Sequence, residues 1–147
     1  MRDLCLRGAA MVLALVSSWG CAGDGTGLDQ FGNPITGTLA ALGPTLSGVQ
    51  DHIFTPLCTQ CHTGASAPLG LVLDEGVSHE NLVGVESVQM PDLLRVDPGR
   101  PESSYIMWKV EGRAGVVGGR MPLGSVPLSN AQLTALRGWI AAGAGKD

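Results

Sequence analysis

The residues able to do distinctive chemistry are gathered in five positions, Cys58-Thr59-Gln60-Cys61-His62. Two thiols at this spacing can add across the two vinyl groups of a haem, and the two residues between them let one turn of chain reach both. The next residue, His62, then projects under the iron as an axial ligand. The pattern therefore predicts one covalently bound haem c. Three other chemistries use the same residue types. A Cys58–Cys61 disulfide would close a very small loop and leave His62 without a role. A zinc site needs a second pair of ligands, the domain has no further Cys, and His52 and His79 are the residues that could be recruited. A thioredoxin-like redox pair needs a preceding strand, and Thr45 to Leu57 shows none.

A haem iron has a second axial face. The candidates for it are Met90, Met107, Met121, His52 and His79. Met121 stands out because it lies in Gly118-Gly119-Arg120-Met121-Pro122-Leu123-Gly124. Glycines let a backbone pass close to a flat ligand, and a following proline stiffens the methionine's backbone. Met90 also precedes a proline, so that pair alone does not decide. Met107 sits between Ile106 and Trp108 in a helical run and reads as core packing. His52, ten residues before His62, reads as a surface or interface histidine.

The remaining two cysteines belong to the chain's start. Arg2 and Arg7 precede and flank an apolar run, Gly8 to Val16, and Ser17, Ser18, Trp19, Gly20 and Cys21 follow. That order reads as an export signal over residues 1–20, too short for a stable membrane span. The competing reading is a short buried helix. Gly20-Cys21 resembles the end of a bacterial lipobox, so Cys21 is either a lipid anchor or lies beside an ordinary cleavage point. Both outcomes place the mature protein outside the cytoplasm, in the periplasm or tethered to a membrane.

Composition excludes other classes. The chain of 147 residues has 9 Lys+Arg against 13 Asp+Glu, a formal charge of −4. Loss of Arg2, Arg7 and Asp3 would leave 7 against 12, or −5. Such a chain is not built to bind a phosphate backbone, and no nucleic-acid partner is expected. Aromatics are 4% of residues, so the protein's own core is thin. A small domain of this kind often recruits a cofactor to its centre.

The elements that would position the motif follow from patterning. Residues 21–44, rich in Gly and Thr, read as a flexible tether, and residues 45–147 as one domain. Leu46, Val49, Ile53 and Leu57 recur at helical spacing, so Thr45 to Phe54 is predicted helical. Pro56 should bend or end that helix. Thr63 to Pro68 reads as a turn, and Leu69 to Leu73 as a short strand-like piece. Ser78 is placed to cap a short helix over His79 to Val83. Val88 to Val96 reads as irregular. Pro101 is placed to open a helix running from Glu102 to about Val110. A Gly-rich passage then leads to Met121. The clearest helix is the last: Ser129 and Gln132 form a capping box, and Leu133, Leu136 and Ile140 share a face beside Trp139. Gly143 is placed to end it in the left-handed conformation.

This order of motifs resembles a class I cytochrome c domain. More closely, it is similar to the bacterial group called planctomycete-type cytochrome c. The resemblance rests on the haem motif, on Pro68 to Asp74, on Pro98 to Tyr105, on Arg120-Met121-Pro122 and on Leu136 to Ala144. It spans about residues 45–145. It implies an all-α, loop-rich fold wrapped around one haem c, with the first and last helices crossing and Trp139 packed at the crossing. It also implies His62 and Met121 as the axial ligands and electron transfer as the role.

Two function classes remain distinct at this point. An electron carrier fills both axial positions, is not itself an enzyme, and works with redox proteins of the cell envelope. Its acidic surface would suit partners with a basic docking patch. A haem enzyme or gas sensor leaves one axial position open. Arg120 is the only charged residue from Gly118 to Gly124, which leaves few groups for distal acid–base work and favours the carrier.

Overall fold

Thr45 opens the first described helix. Its side-chain oxygen accepts the Gly48 N–H at 3.1 Å, satisfying one of the donors that a helix start leaves unpaired. The computed structural model describes residues 42–147. The expected export signal, Cys21 and the tether up to residue 41 lie outside the described residues. Leu42 already packs against the core.

Helix α1 spans Leu46–Val49 and runs without a break into a π-helical stretch, Gln50–Cys58. Pro56 was expected to bend or end this helix, yet the helical turns continue to the first cysteine. The reason is local. A proline has no N–H to give the carbonyl four residues back, and its ring crowds that carbonyl. Widening the turn relieves the clash: the Thr59 N–H reaches Phe54 O, five residues back, at 3.0 Å. In this five-residue register the carbonyl that Pro56 cannot serve is that of Asp51, and the neighbouring His52 carbonyl accepts a bond from the Gln132 side chain at 3.0 Å.

Three further helices follow. Helix α2 is Ser78–Leu82, α3 is Tyr105–Glu111 and α4 is Asn130–Ala141. Among the described residues there is no β-strand, only isolated bridges such as Val83 with Val96. The fold is all-α. The expected strand-like piece at 69–73 is instead a 3-10 turn, Pro68–Gly70, followed by extended chain.

Two of the expected helix starts differ. Ser78 is the first residue of α2 rather than its cap, because its hydroxyl is drawn away to donate to Gln50 Oε1 at 2.7 Å. The helix expected from Glu102 is split into a 3-10 turn, Pro101–Ser103, and α3. Ser104 separates them in an extended conformation, fully buried, with its Oγ accepting from Asp97 N–H at 2.8 Å and donating to Arg100 O at 2.9 Å. That side chain competes with the helix for backbone partners and wins.

The core is shared by α1 (Val49, Ile53, Phe54), α3 (Met107, Val110) and α4 (Leu136, Trp139, Ile140), closed by Leu73, Leu82, Val96 and Leu128 from the connections. Fully burying an aliphatic or aromatic side chain of this size contributes roughly 1.5–3 kcal/mol. The first and last helices pack on one another. Gly138 permits part of that approach, since a Cβ there would lie 2.9 Å from Pro44 Cβ. Trp139 is anchored by donation from Nε1 to Gly145 O at 2.9 Å. A network of charges, Arg113 and Arg137 with Glu102 and Glu111, ties α3 to α4 and to the turn before α3.

Candidate functional site

The π-helical stretch delivers Cys58 at its last position. The Cys58 carbonyl accepts both the Cys61 N–H at 3.1 Å and the His62 N–H at 2.9 Å. All three residues of the motif therefore lie on one turn at the end of the first helix. Both cysteines are free thiols, Cys58 half-buried and Cys61 exposed. The Cys58 Sγ–H points to Ile53 O at 3.5 Å, and burial pushes its thiol up to about 11. At neutral pH this sulfur is uncharged, a poor thiolate nucleophile or zinc ligand.

His62 is held by a specific contact. Its Nδ1 lies 3.1 Å from Leu71 O. A carbonyl only accepts, so the proton sits on Nδ1 and the Nε2 lone pair stays available. The clip is doubled by the backbone, where Leu73 N–H donates to His62 O at 2.8 Å. Arg95 braces the segment carrying that carbonyl, donating to Leu69 O at 3.0 Å and to Asn81 O at 2.8 Å. Asp74 adds a tie from the other end by accepting the Gly64 N–H at 3.0 Å. The residues missed from sequence are Leu71 and Arg95. Leu71 acts through its backbone and Arg95 through distant carbonyls, and neither leaves a local pattern.

Met121 stands on a separate support. Its N–H donates to Lys109 O at 2.8 Å, fastening the loop to α3. Lys109, buried as a residue, donates through its ammonium to Val117 O at 2.8 Å, and desolvation pushes its pKa down. Tyr105 Oη accepts the Val117 N–H at 3.1 Å. Within the loop, Gly118 takes a left-handed φ of +74°, and a Cβ on Gly119 would meet Leu123 Cδ1 at 2.7 Å. The glycines thus serve the loop's own folding. Met121 itself is half-buried. Among the described residues no hydrogen bond joins this loop to the Cys58–His62 turn.

The other candidates have other occupations. Met107 is fully buried in the core, as expected of a packing residue. Met90 is half-buried, its N–H bonded to Ser87 Oγ at 3.2 Å. His79 binds Ala144 O through Nε2 at 2.8 Å and stands edge-on to Trp139. His52 is half-buried on the first helix. Among the described residues, no group of three or more His, Cys, Asp or Glu side chains is placed to hold a bare metal ion.

No protein-family model, no curated protein and no solved structure matches this chain.

Proposed function

We propose that the protein is a mono-haem c-type cytochrome that passes single electrons between redox proteins of the cell envelope. In this reading Cys58 and Cys61 carry the haem as thioethers, His62 is the proximal ligand and Met121 the distal one. The observation that carries it is the Nδ1–H bond of His62 to Leu71 O, in the residue that completes Cys58-x-x-Cys61-His62. That bond favours the Nδ1–H tautomer and leaves the Nε2 lone pair free to serve as a ligand, which is how a metal-binding imidazole is usually oriented. The bound haem would supply the ferric–ferrous couple. The protein's own part would be to hold His62 and Met121 as the two ligands. The likeness to planctomycete-type cytochrome c domains agrees with this role as an electron carrier rather than an enzyme.

The test is the haem's attachment in protein matured by an exporting host with a haem c assembly system. Acidified organic solvent should leave the haem on the chain, and Cys58→Ala or Cys61→Ala should weaken or abolish that retention. Haem that partitions into the solvent from the wild type, or a wild type that matures without haem, overturns the proposal.

A further inference from the structure

Arg120 immediately precedes Met121 and is half-buried. Its stem lies across Gly112, where a Cβ would come within 2.9 Å of Arg120 Cδ. One arm of the guanidinium, Nη2, donates to Ser125 O at 3.2 Å. The other arm, Nη1, is shut off from water and has no hydrogen-bond partner among the described residues.

A buried, charged donor without an acceptor is rare and costly in a native fold. The shortage is not one of carboxylates, for the chain has 13 Asp+Glu against 9 Lys+Arg. Of the other described cations, Arg100, Arg113, Arg137 and Lys146 each have an acidic partner, and Arg95 and Lys109 donate to backbone carbonyls instead. Arg120 has no acidic partner among the described residues, and its Nη1 has no carbonyl partner either. A planar guanidinium of this kind is matched to a carboxylate. A haem brings two ionised carboxylates on its propionate arms, and Met121 would bring the loop against the haem.

We infer that Arg120 Nη1 donates to a haem propionate. This rests on the haem reading above and adds a residue to it. Arg120 is a cofactor-contacting residue, and its fixed positive charge beside the haem favours the ferrous state.

The direct test uses the ferrous wild-type holoprotein, labelled with ¹⁵N. A nuclear Overhauser contact is expected between the Arg120 Nη protons and the propionate methylene protons. Arg120 contacts confined to Gly112 and Ser125 would overturn the inference. A second test compares Arg120→Gln with Arg120→Lys, both with covalent haem, in mildly alkaline buffer. In Arg120→Gln the propionate-bending band of the resonance Raman spectrum should shift and the midpoint potential should fall; in Arg120→Lys the potential should return toward that of the wild type. A purely structural role for Arg120 predicts lower stability in Arg120→Gln with an unmoved band and potential, and that result also overturns the inference. A wild-type protein lacking covalent haem refutes the functional proposal itself, and so is told apart from a failure of the Arg120 contact.

Discussion

Gln132 Nε2 donates to the carbonyl of His52 at 3.0 Å, joining the last helix to the first across 80 residues of chain. The same amide's Oε1 accepts the Ser129 N–H at 2.9 Å to complete the capping box of α4. One side chain thus caps its own helix and holds a carbonyl of the π-helical stretch in the other. The start of α4 is thereby tied to the π-helical stretch that ends on Cys58.

Gln132→Ala should therefore cost more than a lost cap. Removal of a capping interaction costs about 1 kcal/mol, and loss of the hydrogen bond to His52 O adds roughly 1 kcal/mol. Gln132→Glu keeps the acceptor for the Ser129 N–H but loses the donor to His52. It should fall between Gln132→Ala and the wild type. Denaturant unfolding of the three proteins measures this, and a Gln132→Glu variant as stable as the wild type would show that the His52 contact contributes nothing.

Acid should weaken the charge network between α3 and α4. Glu102 is held below the usual carboxylate range by hydrogen bonds from Arg137 and then Arg113. Glu80 and Asp147 are lowered as well, by Lys146 and Ser47 respectively. A carboxylate depressed in the folded state adds stability above its unfolded pKa and loses it as pH falls through the folded value. The loss should begin near pH ~4.3, where an unperturbed Glu titrates, and continue below it. Glu102 is exposed, so solvent screens much of its contribution. Glu102→Gln should unfold with a shallower dependence on pH in that window. Equal slopes for wild type and variant would place the acid sensitivity elsewhere.

The start of the chain makes its own prediction. Arg2, the Gly8 to Val16 run and Gly20-Cys21 should yield a mature protein beginning at or near Cys21 in its native host. Intact mass decides between diacylglycerol on Cys21 and a plain N-terminus close by. A native protein that still carries Met1 would exclude export.

How much of this was legible from sequence depended on whether the determining contacts were local. The α4 cap was readable because Ser129 and Gln132 are three residues apart. Val49, Ile53, Leu136 and Ile140 were readable as core because a helix repeats its buried face. Pro56 misled because the backbone widens to five-residue hydrogen bonds around it, which the spacing of apolar residues does not announce. Ser78 and Ser104 misled because their hydroxyls have nonlocal or turn partners, Gln50 for one and Asp97 with Arg100 for the other. At the site, Cys58, Cys61 and His62 declare themselves by spacing. The orientation of His62 does not, since it is set by the backbone of Leu71 and any residue there carries the same carbonyl.

The sixth ligand is the sharpest prediction. Met121 is fastened by its own N–H to Lys109 O, and Lys109 in turn holds Val117, so the loop is tied to α3 on both sides of its glycines. A thioether is a soft, weak donor that favours ferrous iron, and a His/Met couple sits higher in potential than a bis-histidine one. Met121→Ala should open the axial position, lower the potential and create carbon monoxide binding that the wild type lacks. The ferric far-red band that reports sulfur ligation should vanish with it. Met107→Leu should keep that band, because Met107 is sealed in the core, and this volume-conserving change should cost less than about 1.5 kcal/mol. Met90→Leu should keep it too. Persistence of the band in Met121→Ala together with its loss in Met90→Leu would move the ligand to the other Met-Pro pair. A wild type that already binds carbon monoxide rapidly and fully has an open iron, and the enzyme or sensor reading would then replace the electron carrier.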